Sequence, residues 1–228
     1  MRKTKEILEE ENTNSFLLGV TGSIGCGKTH VCHTLIDIAS NQGLSLSYVN
    51  LDTIRRQILG TESRYAHLRL QLSDHFGERI TKLDGSIDGK ELGQIIFYDS
   101  DAMNYFRNLI SPAIDQELEI ETQDKKGLVL VEWALLVEDG LLPLVKGDVL
   151  VTTCSYDKQI ARLMGGDLPL NQILKRRSNQ LTNSEKIEKI RAYQQDTGGG
   201  KLYVFDTTEN PSKGQYRALL EKIIQGVK

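Results

Sequence analysis

One stretch near the start of the chain constrains its fold more than any other. Gly22-Ser23-Ile24-Gly25-Cys26-Gly27-Lys28-Thr29 fits G-x-x-x-x-G-K-[ST], the spacing of a phosphate-binding loop. An apolar run at 16–20 reads as a buried strand, and Val31, Leu35, Ile38 and Ala39 follow at helical spacing. Strand, glycine loop and helix in that order are the context the motif needs. Glycines let successive backbone N–H groups curl around an anion at the positive end of a helix. The expected nucleotide-phosphate set is therefore Gly22, Ser23, Gly25, Cys26, Gly27, Lys28, Thr29 and His30. Lys28 bridges the β- and γ-phosphates in this reading, and the Thr29 hydroxyl is a ligand for Mg²⁺.

With 228 residues the chain is long enough for one α/β domain carrying inserted subdomains. Its formal net charge of −3 gives no bulk support for nucleic-acid binding, and no apolar run approaches a membrane span. Residues 1–15 form a charged extension without the apolar stretch of a secretion signal. The three cysteines, Cys26, Cys32 and Cys154, form no C-x-x-C pair, and their odd number suits a reducing, cytoplasmic setting.

Further strands are expected at 46–50, 128–132, 148–153 and 202–205. The run at 128–132 is apolar throughout, as in a parallel strand covered on both faces. The expected fold is α/β, a five-stranded, mostly parallel sheet flanked by helices. Its core is assigned to 16–52, 124–157 and 201–228, with a helical insertion at 53–123 and a lid at 158–200. Two carboxylates stand just past strand ends, where open α/β sheets bind ligands. Asp52 is a candidate general base, with a helix N-cap as the bland alternative. Glu132 is a candidate acid near Mg²⁺, with a carboxylate satisfied by neighbouring N–H groups as the bland alternative. Helices are expected at 65–76, 90–98, 100–121, 156–164, 172–180 and 183–193. Thr182 and Glu185 would form a capping box, and Asn210 with Pro211 would open the last helix. Arg162 and Arg176 fall in a basic helical region, either a solvated face or a lid that neutralises transferring charge. The four histidines have no metal-ligand spacing beside cysteines or carboxylates.

The order of these parts resembles the dephospho-coenzyme A kinase family from about residue 16 to 224. The resemblance rests on Gly19-Val20-Thr21 leading into the loop, Asp52-x-Ile54-x-Arg56, and Leu92-Gly93-x-Ile95-Ile96-Phe97-x-Asp99. It continues in Leu135-Leu136-x-Glu138-x-Gly140-Leu141, Arg162-Leu163-Met164, and Arg176-x-x-x-Gln180 followed by Lys186. It implies transfer of the γ-phosphate of ATP to the ribose 3′-hydroxyl of dephospho-coenzyme A, with Mg²⁺, and no nucleic-acid or membrane partner. Lys28, Asp52 and Arg162 are then catalytic, Arg162, Arg176, Thr207 and Thr208 hold the nucleotide, and Arg56, Lys90, Leu135, Leu136 and Glu138 hold the acceptor. A monomer or small homo-oligomer is expected. The chain departs from the family pattern at Asn50, Gly89, Ser111, Glu132, Ala134, Gly166 and Leu202. Those departures keep two alternatives open: a related kinase acting on a nucleoside, nucleotide or other small alcohol, and a catalytically weak ATP-binding regulatory homologue.

Overall fold

A computed structural model describes residues 15–96, 98–165, 177–178 and 180–226. Five strands form one sheet: β1 (Ser15–Thr21), β2 (Leu46–Asn50), β3 (Gly127–Glu132), β4 (Val149–Thr153) and β5 (Leu202–Asp206), in the order β2-β3-β1-β4-β5. β1 pairs in parallel with β3 and β4, and β4 with β5. The register sets Val20 beside Glu132, so the strand that feeds the glycine loop delivers it next to the acid at the end of β3.

The backbone divides into two compact units, one of 1–49 with 122–228 and one of 50–121. In the first, Leu18, Val20, Leu128, Leu130 and Leu150 present one sheet face to α1 (Lys28–Asn41). A second helix from the far end of the sequence, Lys213–Gly226, covers the same face through Tyr216, Leu219, Leu220 and Ile223. On Gly19 an added Cβ would stand 2.6 Å from Leu136, so a glycine in β1 is what lets the 133–145 segment pack against the sheet.

The second unit is helical: α2 (Leu51–Leu59), α3 (Ala66–Phe76), α4 (Gly89–Ile96) and α5 (Ser100–Thr122), with Pro112 inside α5. Its buried apolar set includes Ile54, Ile58, Leu72, Ile80, Leu92, Phe106, Ile110, Ile114 and Leu118. Buried Arg69 donates to the carbonyls of Ile58, Glu62 and Gly85, which satisfies the end of α2 and the following turns. Glu117, 2% exposed, receives Arg64 at 2.7 Å and the Tyr65 hydroxyl. The turn-rich link at 82–89 is closed by an antiparallel bridge between Thr81 and Ile87.

The remaining helices are α6 (Tyr156–Met164), α7 (Asn183–Thr197) and α8 (Lys213–Gly226). The capping box at Thr182 and Glu185 is present. α7 runs four residues past its expected end and stops at Gly198 in the left-handed region. α8 starts later than expected. Ser212, not Asn210, caps it: Ser212 N donates to Gln215 Oε1 at 2.8 Å and Gln215 N to Ser212 Oγ at 3.4 Å. This reciprocal pair satisfies two orphan donors, whereas a cap at Asn210 with Pro211 next would satisfy one. The expected helix at 172–180, with Arg176, lies almost wholly outside the described residues, as do Gly166, Phe97 and the extension up to residue 14.

Candidate active site

The loop is built to take an anion. At Gly22 φ is 142°, and an added Cβ would stand 2.3 Å from the Thr152 carbonyl oxygen. No other residue fits there. Gly27, with φ 76° and no side-chain cap, opens α1 and leaves its first N–H groups facing the loop. Lys28 is buried, and its Nζ folds back to donate to the carbonyls of Gly22 at 3.0 Å and Ser23 at 3.3 Å. Its ammonium therefore folds back over the loop.

Thr29 and Glu132 meet across the strand end: Thr29 Oγ1 donates to Glu132 Oε1 at 2.8 Å. The Tyr48 hydroxyl donates to the other carboxylate oxygen. Glu132 is 6% exposed, while Thr29 is open to solution. A hydroxyl and a carboxylate oxygen beside a phosphate cradle are hard ligands that fit Mg²⁺, which takes few protein ligands and keeps phosphate and water oxygens. The described residues hold no cluster of three His, Cys, Asp or Glu that would suggest an all-protein metal cage.

Side chains distant in sequence fix the loop from outside. Asn183 Oδ1 accepts from Ser23 N at 2.9 Å and Ser23 Oγ at 3.0 Å. Gln180 Oε1 accepts from Ile24 N at 3.0 Å, and Gln159 Nε2 donates to Ile24 O at 2.5 Å. Arg162 donates to Gly25 O at 3.3 Å, Thr207 Oγ1 at 2.9 Å and Thr207 O at 2.7 Å. The Thr207 hydroxyl in turn lies 3.1 Å from Cys26 O. Arg162 thus clamps the loop to the segment after β5, one turn of α6 from Gln159 on the same helix face.

Several expected site residues have other partners. Asn50, not Asp52, is the N-cap of α2, accepting from Asp52 N at 2.8 Å. That leaves the Asp52 carboxylate for an ion pair with Arg55 at 2.9 Å, partly exposed. Arg56 and Lys90 are exposed and Leu135 half-buried. His30 is exposed, its ring edge-on to Tyr216 at 6.1 Å. The Thr208 hydroxyl accepts from Ser155 N at 2.9 Å, at the start of α6. Two expected acceptor contacts are used by the fold. Leu136 is fully buried against Gly19. Glu138 is ion-paired with Lys186 Nζ at 2.5 and 2.6 Å and also accepts from Leu181 N at 2.9 Å. Lys186 has no exposed surface and donates further to Ala134 O at 2.8 Å. Burial lowers its pKa below the ordinary lysine range, against the opposing pull of Glu138.

Tyr48, Gln159 and Asn183 were not expected at the site. Faint signals existed: Gln159 and Arg162 share i, i+3 spacing, and Asn183 directly follows the capping Thr182.

A parallel sheet that delivers a glycine loop to a helix N-terminus, with a loop threonine bound to an acid on the neighbouring strand, defines a nucleotide-binding protein of the P-loop class. The profile of the family described as Dephospho-CoA kinase matches residues 16–196. The chain belongs to the dephospho-CoA kinase family. It is 31% identical over 178 residues to a dephospho-CoA kinase of Dehalococcoides mccartyi, covering 75% of this chain and 84% of that protein. To the dephospho-CoA kinase of Latilactobacillus sakei it is 27% identical over 218 residues, covering 93% and 96%. The crystal structure of TT1252 from Thermus thermophilus superposes with a TM-score of 0.67 at 19% identity, over 94% of this chain and 99% of that one, a likeness of fold.

Proposed function

We propose that this chain transfers the γ-phosphoryl group of ATP to the ribose 3′-hydroxyl of dephospho-CoA, giving CoA and ADP. The observation that carries this reading is a family match over 16–196 that includes an intact phosphate loop with Thr29 bonded to Glu132. The backbone N–H groups from Gly25 to His30 cradle the phosphates, and Lys28 spans the β- and γ-phosphates. Mg²⁺ at Thr29 and Glu132 would neutralise charge across those phosphates. Asp52 takes the proton from the 3′-hydroxyl as its oxygen bonds to the γ-phosphorus and the β–γ bridging oxygen leaves with ADP. Arg55 orients Asp52 for that role. Arg162 and Arg176 stabilise charge on the transferring group. Arg56, Lys90 and Leu135 contact the acceptor, while Thr207 and Thr208 shape the segment beside the nucleotide. Phosphoryl transfer relies on positioning and electrostatics, which these groups supply. The reaction is placed in the cytoplasm, in keeping with three free thiols.

The test is ADP release with dephospho-CoA, adenosine, other nucleosides and no acceptor, for the parent and Lys28→Ala. The proposal expects release that depends on dephospho-CoA and disappears in the variant. Equal release with a nucleoside would redirect the reaction to another acceptor.

A further inference from the structure

The three cysteines are free thiols, and two of them meet. Cys26 belongs to the phosphate loop and is 1% exposed; Cys154 follows β4 and is half-buried. Although 128 positions apart, their Sγ atoms are 3.1 Å apart. The pairing of β1 with β4 causes this, since the loop after β1 and the residue after β4 leave the sheet side by side. The Cys154 thiol also points at the Gly25 carbonyl at 3.8 Å, and Asn183 Nδ2 at Cys26 Sγ at 3.7 Å. Both thiols are thus aimed at each other within the loop's own hydrogen-bond network. Closing this contact to a disulfide of about 2.04 Å needs a movement of roughly 1 Å.

We propose that Cys26 and Cys154 are a reversible oxidation site at which a hydroperoxide converts the thiol pair to a disulfide that switches the phosphate loop off. Cys154, the more exposed thiol, reacts first. Its thiolate attacks the terminal oxygen of the hydroperoxide, the O–O bond breaks, and an alcohol or water leaves, giving a sulfenic acid. Cys26 then attacks the sulfenic sulfur, the S–O bond breaks, and water leaves with the Cys26 proton. Two electrons pass from sulfur to the peroxide, and a small dithiol reverses the reaction by exchange.

Burial raises the Cys154 pKa above the ordinary thiol range, so little thiolate exists at neutral pH and the first step is slow. Cys32 is no competitor: it is fully buried in the sheet–helix core and burial pushes its thiol higher still. The effect on the loop follows from where Cys26 sits. Its neighbours Gly25 and Gly27 are both at positive φ, so the loop yields there rather than at β4. A displacement of about 1 Å in groups that position reacting phosphates costs on the order of 100-fold in rate.

The experiment treats the whole chain with hydrogen peroxide, quenches it, and maps peptides without reduction. Mg-ATP binding is measured by equilibrium dialysis, and turnover of ATP with dephospho-CoA in parallel. Cys154→Ser is carried alongside, and Cys154→Ala serves if the serine variant does not fold. The expected result is a Cys26–Cys154 linked peptide, loss of the mass of two hydrogens, weakened ATP binding, and about 100-fold lower turnover. Dithiothreitol restores both, and the Cys154 variant keeps its ATP binding through oxidation. No linked peptide overturns the proposal. So does a linked peptide with unchanged ATP binding, or a Cys154 variant inhibited as strongly as the parent. The inference rests on the loop being the ATP site, not on the acceptor, and the dialysis readout separates it from a failure of the dephospho-CoA assignment.

Discussion

Lys186→Met is the substitution whose cost the structure defines most sharply. Lys186 is wholly buried, and Glu138 beside it keeps only 9% of its side-chain surface. Removing the ammonium takes bonds of 2.5 and 2.6 Å from Glu138 and one of 2.8 Å from the Ala134 carbonyl. Among the described residues Glu138 retains Leu181 N at 2.9 Å. A buried carboxylate left without its counter-charge costs about 3–5 kcal/mol. At about 2–4 °C per kcal/mol for a unit of this size, the melting temperature should fall by roughly 6–20 °C. Adding Glu138→Leu removes the orphaned charge and should recover more than half of the loss. It does not recover all of it, because Leu181 N loses its acceptor, at about 1–3 kcal/mol if it remains dry, while Ala134 O keeps the Thr21 hydroxyl at 3.2 Å. The pH dependence carries a second signature. The folded-state pKa of Lys186 lies below its ordinary 10.5, so between the two values the unfolded chain binds more protons. The stability from this group is full above 10.5 and is lost as pH falls through the depressed pKa. The parent should therefore gain on Lys186→Met as pH rises through that window. Urea unfolding of the parent and both variants from pH 7 to 10.5 measures all of this. A single variant within about 1 kcal/mol of the parent, or a double variant no better than the single, would refute the reasoning.

Three other outcomes follow from the same geometry. Glu132→Gln should raise the Mg²⁺ concentration for half-maximal turnover by about 10–100-fold, with Tyr48→Phe moving it less, as read from a Mg²⁺ titration of the rate. Asn183→Ala removes the acceptor of Ser23 N and Ser23 Oγ, so ATP binding should weaken by about 1–3 kcal/mol by calorimetry, with Lys28 in place. The Glu185 carboxyl is held below its ordinary 4.5 by the Thr182 side chain and backbone N–H. Amide protection at the start of α7 should thus be constant above pH 4.5 and decline as pH falls through the depressed value, as hydrogen exchange can read.

What could be seen in the sequence was whatever local chemistry decides. The glycine loop, β2 and α6 were legible because apolar runs and caps lie within a few residues of what they shape. Thr29 and Glu132 were legible because strand ends of a parallel sheet converge. Asn183 and Gln159 were not, since each is bonded to the loop across more than 130 positions and the i, i+3 spacing of Gln159 with Arg162 does not say what that face meets; Gln180 stood in the family motif without a role. Glu138 reads as a site acid until its partner Lys186, in α7, is seen. The start of α8 was misread because Asn210-Pro211 is a strong local signal, and the reciprocal bonds of Ser212 and Gln215 outweigh it.

The account's central claim is that the phosphate loop moves a phosphoryl group from ATP to the 3′-hydroxyl of dephospho-CoA. Mass spectrometry of a reaction with Mg-ATP and dephospho-CoA, followed by phosphorus NMR of the product, addresses it directly. The account predicts a product heavier by one phosphate, carried on the ribose 3′-oxygen, and absent when Lys28 is replaced by alanine. ATP that binds but yields no phosphorylated acceptor, or a product formed equally by the Lys28 variant, would contradict it.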